Sequence, residues 1–122
     1  MLKRLFRKLS QDEGDRRAAT IREWAGSVSG ATPISHVRAR EAARVAGVIE
    51  SLRVRPREGL PVLEAVVGDG SGTVTAVWLG RRQIPGVVLG ARVVLEGRFG
   101  GSSTGLQVMN PTFEFAPRED EY

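Results

Sequence analysis

The sequence predicts an all-β fold, a five-stranded Greek-key barrel behind an N-terminal α-helical extension. Three observations carry this reading. From about Arg44 the apolar residues recur in short runs with a period of two. Glycine-rich turns separate those runs, and one connection, between the third and fourth, is longer than the rest.

The clearest of the turns lies within Val66 to Trp78. Gly68-Asp69-Gly70-Ser71-Gly72 contains no long side chain and is flanked by apolar-rich runs. Glycine reaches positive φ without steric cost and Asp tolerates the left-handed region, so the chain can reverse here as a β-hairpin.

Before the barrel, residues 1–10 form an amphipathic helical pattern. Leu2, Leu5, Phe6 and Leu9 share one side, with Lys3, Arg4, Arg7 and Lys8 on the other. The polar stretch Ser10 to Gly14 is read as a break. Asp15 then caps a second helix through Ala18, Ile21 and Trp24, ending at Gly26. Ser27 to Pro33 is a linker, and Ile34 to Arg40 fits either a helical turn or an extended lead-in.

The first strand is placed at Arg44 to Arg55, with a bulge near Gly47. Pro56-Arg57-Glu58-Gly59 is the loop after it. The second strand, Leu60 to Val67, sets Leu63, Ala65 and Val67 against Val62, Glu64 and Val66. The third, Thr73 to Leu79, groups Val74, Ala76 and Trp78. Gly80 to Gly90 is the long connection, with room for one helical turn. The fourth strand, Ala91 to Phe99, points Val93, Leu95 and Gly97 inward and Arg92, Glu96 and Arg98 outward. Gly100 to Gly105 is a polar loop. The fifth strand begins at Leu106, is interrupted at Asn110-Pro111 because proline cannot donate to a ladder, and continues through Thr112 to Phe115. Five strands with this spacing are the layout of the OB barrel. The organisation is then a basic helical arm and linker (1–40), the barrel (41–116) and an acidic tail expected to be disordered (117–122).

Composition narrows the function. The chain of 122 residues has no cysteine and a single histidine, His36. A disulfide framework, a thiolate nucleophile and a His-pair or Cys/His metal site are thereby excluded. No nucleophile, base and orienting group come together in the pattern, so the expectation is a non-enzyme without cofactor, metal or small-molecule substrate. No apolar run approaches the ~20 residues of a membrane-spanning helix, and a secretory leader pattern is absent from residues 1–30. The expected location is cytoplasmic. Net charge is +4, and residues 1–40 hold nine Lys/Arg against four Asp/Glu, so the excess base lies in the arm. Arginine outnumbers lysine sixteen to two, which suits bidentate phosphate contacts and stacking, and equally reflects a GC-rich genome.

Residues 45–115 resemble the OB-fold domains that bind nucleic acids. The carrying residues are Gly47-Val48-Ile49, Asp69-Gly70-Ser71-Gly72-Thr73-Val74, Val77-Trp78 and Leu106-Gln107-Val108-Met109-Asn110-Pro111. The segment is similar to the wedge domain of RecG-type branch-migration helicases. It also looks like small stand-alone actinobacterial OB-fold proteins that share a Trp78-Leu79-Gly80-Arg81-Arg82-Gln83-Ile84-Pro85-Gly86 type of run. The resemblance implies passive binding of single-stranded or branched DNA, or of RNA. It does not imply unwinding, since no motor or phosphate-binding loop is present. The wedge carries an aromatic pair at the end of its third strand, where this chain has Trp78 followed by Leu79.

Single-strand binding by OB folds combines a basic groove with aromatic platforms. The candidate site residues are Arg53, Arg55 and Arg57 on one rim, Arg81 and Arg82 after the third strand, Arg98 on the fourth, and Thr75 and Trp78 on the third. Against them stand Glu50, Glu64 and Glu96, which would make the same arginines an ordinary solvated surface. Alternation puts Trp78 on the core face, while the resemblance makes it a stacking candidate. Four engaged arginines would give a log–log salt slope near −3. The alternative function is a protein-interaction OB module, with residues 1–9 docking on a protein partner or an anionic membrane surface.

Overall fold

Alternation of period two closes into a ring because one strand is long enough to serve two neighbours. The computed structural model describes residues 2–102 and 105–116, with side chains from Arg16 onward, Ser102 excepted. Its elements are α1 (Leu2–Ser27), a 3-10 turn (Ile34–His36), β1 (Ala42–Arg57), β2 (Leu60–Gly68), β3 (Thr73–Leu79), β4 (Arg92–Ser102), β5 (Gly105–Met109) and β6 (Thr112–Ala116). β1 pairs β4 through residues 42–48 and β2 through residues 48–57. The ring then runs β2–β3, β3–β5 and β5–β4, with β3 and β5 parallel and every other pair antiparallel. The result is the expected all-β barrel of five strands with an N-terminal helix.

β1 must bend sharply to do this, and two features allow it. A Cβ on Gly47 would lie 2.7 Å from the Gly68 carbonyl oxygen, so glycine permits the close crossing of β1 and β2. The bulge itself falls at Glu50, between Ile49 and Ser51, and not near Gly47 as the sequence suggested. Beyond it, Pro56 and Arg57 stay in the ladder opposite Pro61 and Leu60. The loop shrinks to Glu58-Gly59, whose φ angles of 50° and 82° give the paired left-handed residues of a tight hairpin turn.

The other differences lie near the C-terminus. Gly100 to Ser102 extends β4, facing β5 from Gly105, so the expected loop is mostly a hairpin. Asn110-Pro111 ends β5 instead of interrupting it: β6 is a separate strand that pairs β4 along Arg92–Glu96. Asn110 sits at φ 46°, its amide donates to the Val77 carbonyl, and its Oδ1 accepts from Leu79 N–H. A turn tied to β3 in this way can redirect the chain where proline alone would only break a ladder. The connection from Gly80 to Gly90 holds turns and no helix, and its Ile84 and Val87 are buried.

Phe99, Ile49, Leu95, Val45, Val67, Val74, Val93 and Val108 fill the barrel. A second, smaller cluster of Ala25, Ala46 and Val94, with Trp24, Val28 and Ala31 against it, joins α1 to the outside of β1 and β4. The Arg92 guanidinium lies 5.0 Å from the Trp24 ring centroid there, in cation–π contact. α1 is one continuous helix, and the break expected at Ser10 to Gly14 does not occur. That stretch holds no proline, and a single glycine costs a solvated helix only about 1 kcal/mol. The amphipathic faces read for residues 1–9 involve side chains outside the described residues, as does the acidic tail 117–122. No described helix is long and apolar enough to cross a membrane.

A single buried carboxylate ties arm to barrel. Asp69 is 4 % exposed. Its Oδ1 accepts from Ser71 N–H at 2.8 Å, Ser71 Oγ–H at 2.7 Å and Gly72 N–H at 3.1 Å. Its Oδ2 accepts from Ile34 N–H at 2.8 Å, so the 3-10 turn hangs on the β2–β3 hairpin. Gly70, at φ 86°, completes the junction: a Cβ there would lie 2.7 Å from the Ala18 carbonyl oxygen, and Arg22 Nη2 donates to the Gly70 carbonyl at 2.6 Å. Asp69→Ala strands the Ile34 N–H and releases the turn. It is expected to cost about 3 kcal/mol and lower the melting temperature by roughly 10 °C, read by circular dichroism. A loss under about 1 kcal/mol would show that the turn glycines hold the hairpin unaided.

Candidate nucleic-acid interface

Alternation that fills the barrel with one set of side chains turns the other set outward, and between β1 and β5 that outward set remains uncovered. The register places it in rows across β1, β2, β3 and β5. Arg57 faces Leu60, and the next row runs Arg55, Val62, Leu79. Arg53, Glu64, Val77 and Met109 follow, then Ser51, Val66, Thr75 and Gln107. Apart from Leu60 and Leu79, these residues line a groove of about 720 Å³, with Leu52, Pro56 and Leu106 added.

Its cross-section is asymmetric. Arg53, Arg55 and Arg57 project along the β1 side as a cationic wall. The floor is aliphatic: Val62 and Val77 point outward yet are only 3 % and 5 % exposed, recessed between longer neighbours. Glu64 rises from that floor opposite Arg53. Arg53 Nη2 donates to Glu64 Oε2 at 3.0 Å, and Arg55 Nε faces Glu64 Oε1 at 3.6 Å. Both arginine side chains are more than half exposed, while that of Glu64 is 19 % exposed. At such exposure each pair contributes less than about 1 kcal/mol to stability. Their consequence is electrostatic, since one carboxylate offsets part of the charge of two of the three wall arginines.

The structure gathers four of the eight residues singled out from the sequence. Arg53, Arg55, Arg57 and Thr75 line the groove. Arg81 and Arg82 lie exposed beyond it, after Gly80, whose amide donates to the Pro61 carbonyl at 2.8 Å. Arg98 belongs to β4 on the other side of the ring, donating to the Arg40 carbonyl at 2.7 Å. Trp78 is inside the barrel at 6 % exposure, as alternation indicated. Its indole N–H donates to the Pro111 carbonyl, and its ring meets Phe113 edge-on at 5.7 Å. It offers no face to a base, and among the described residues no aromatic side chain lines the groove. Outside the groove, Arg44 pairs with Glu96 and Glu114, and its pKa is raised chiefly by the hydrogen bond to Glu96.

Sequence reasoning does not find Leu106, Gln107 and Met109, because the parallel β3–β5 pairing that brings them across joins residues 32 apart in the chain. It weighed Glu64 only as a neutralising charge. Strict alternation in β2 was the available signal, since it puts Glu64 between Val62 and Val66 on the outward face.

No protein-family model and no curated protein sequence matches this chain. Solved structures do. A structure of RecG bound to a three-way DNA junction superposes with a TM-score of 0.58 at 23 % identity, covering 75 % of this chain. The chain spans only 13 % of that RecG chain. Two OBody proteins bound to hen egg-white lysozyme, AM3L09 and AM1L10, superpose with TM-scores of 0.57 and 0.55. Each is 18 % identical over 75 % of this chain, covering 99 % and 97 % of the OBody. The fold is therefore that of an OB barrel.

Proposed function

We propose that this chain is a non-catalytic, cytoplasmic OB module that binds nucleic acid, single-stranded or branched DNA, through the groove of β1, β2, β3 and β5. The observation that carries the reading is the wall of Arg53, Arg55 and Arg57 beside an uncovered groove whose floor is the recessed Val62 and Val77. Phosphates on the wall would leave the bases lying over Val62 and Val77. Arg81 and Arg82 extend the positive path past the hairpin end of the groove. The likeness to RecG bound to a three-way junction supports a DNA partner.

A floor without rings sets the strength of this binding. Base–aromatic stacking contributes about 1–3 kcal/mol per base in single-strand binders, and here that contribution is missing. Affinity therefore rests on phosphate contacts. Three wall arginines imply a log–log salt slope of about −2 for single strands.

The same aliphatic floor favours a second reading, a protein ligand, and the OBody–lysozyme complexes show two OB barrels with protein partners. One titration separates the two. Fluorescence anisotropy of a labelled single strand, a duplex and a three-way junction should show saturable binding at low salt that weakens with the slope above. Absence of binding at low salt would transfer the groove to a protein ligand.

Arg53→Ala with Arg55→Ala should lower affinity at least about tenfold, one charge-assisted contact being worth about 1.5 kcal/mol, with the melting temperature little changed. Unaltered affinity in that variant would remove the β1 wall from the site.

A further inference from the structure

The carboxylate in the middle of the groove is at odds with a surface built only for phosphate. Glu64 repels the backbone of any strand that crosses it. Its position opposite Arg53 is that of an ordinary cross-strand ion pair. Three observations give it a further use. It stands on the floor, directly opposite the recessed Val77 and next to the recessed Val62, where bases and not phosphates would lie. Arg53 hydrogen-bonds one of its oxygens from the wall side and Arg55 Nε stands 3.6 Å from the other, which biases the carboxylate toward one orientation. Oε2 accepts from Arg53 and keeps a second lone pair, Oε1 has only the more distant Arg55 charge at 3.6 Å, and no further donor among the described residues reaches either.

The Arg53–Glu64 pair thus displays a donor beside two acceptors. That is the order in which cytosine presents its amino group, ring nitrogen and carbonyl to guanine. Guanine answers with an acceptor at O6 and two parallel donors, N1–H and the 2-amino group. No other base supplies two adjacent donors to a carboxylate. Adenine and cytosine each bring one amino group next to a ring-nitrogen lone pair. Thymine and uracil flank a single N–H with two carbonyls. Single strands expose this pairing edge, which a duplex conceals.

We propose that Glu64, oriented by Arg53 and Arg55, reads guanine in single-stranded nucleic acid through its N1–H and 2-amino group. This rests on the nucleic-acid reading of the groove. The two hydrogen bonds are charge-assisted and form over an aliphatic floor, where such bonds are strengthened. The carboxylate then has opposite effects on different strands: it weakens attachment of any strand by its charge and restores it where a guanine meets it.

The test compares anisotropy titrations of a labelled oligothymidylate with strands carrying isolated guanines, cytosines or hypoxanthines at the same positions. Isolated substitution prevents quadruplex formation, and hypoxanthine lacks only the 2-amino group. The guanine strand is expected to bind about tenfold tighter than oligothymidylate, with most of that gain lost on hypoxanthine. In Glu64→Gln, oligothymidylate should bind tighter than in the wild type, and the guanine advantage should fall to within about twofold. Equal affinity of the wild type for all strands, or a guanine preference that survives Glu64→Gln, overturns the proposal while leaving the groove a nucleic-acid site. The hypoxanthine comparison uses the wild type alone and stands even if the variant fails to fold. Absence of binding to every strand at low salt overturns both readings together.

Discussion

The carboxylate of Asp69 is the constraint on which the arrangement of this molecule depends. A buried carboxyl group is tolerated only when its lone pairs are satisfied, and Asp69 takes four donors from two segments distant in sequence. Three of those donors shape the β2–β3 turn. The fourth, Ile34 N–H, fastens the polypeptide that leads into β1. Because the turn is held in one shape, Gly70 can present its carbonyl to Arg22 and leave room for the backbone of α1 at Ala18. Hairpin, lead-in and helix are thus coupled through one side chain, and a change at Asp69 reaches all three.

That coupling decides which face of the barrel is open. The helix is steered over Ala46 and Val94, two small apolar residues on the outside of β1 and β4, and covers them with Ala25 and Trp24. The outer face of β2, β3 and β5 receives no such cover. Two of its apolar residues, Val62 and Val77, are recessed among longer side chains, while Leu60, Leu79 and Met109 at its margins stay exposed. The uncovered face thus combines a recessed floor with exposed apolar margins and stays concave enough to admit a ligand.

Local structure was largely legible in the sequence. The ends of β3 follow from its bounding glycines, and its inward set of Val74, Ala76 and Trp78 follows from alternation. What failed was everything that depends on which strands meet. The bulge went to Glu50 because β1 changes partners just after Val48, a fact about β4 that β1 alone does not record. Asn110-Pro111 looked like a ladder defect because the hydrogen bonds from Asn110 to β3 are non-local. In α1, the polar run Ser10 to Gly14 reads as a break, yet it holds no proline, and polarity alone does not end a helix. The site divides the same way. The three wall arginines were visible because they alternate on one strand. The far wall was hidden behind a parallel pairing that no local pattern encodes.

The opposed charges of the groove follow from its lack of rings. Where aromatic platforms hold the bases, a phosphate wall can be modest and base identity matters little. An aliphatic floor gives neither stacking energy nor base orientation, so a strand held by arginines alone would be bound by charge and without selection. Placing a carboxylate at the centre lowers that indiscriminate attraction. Two arginines already directed at it bias it toward one orientation, a bias that a glutamate free in solvent would lack. The cost to general affinity and the gain in hydrogen-bonding specificity then come from the same three residues. A groove of this kind would discriminate between strands mainly by which of them can satisfy Glu64, with the phosphate wall common to all.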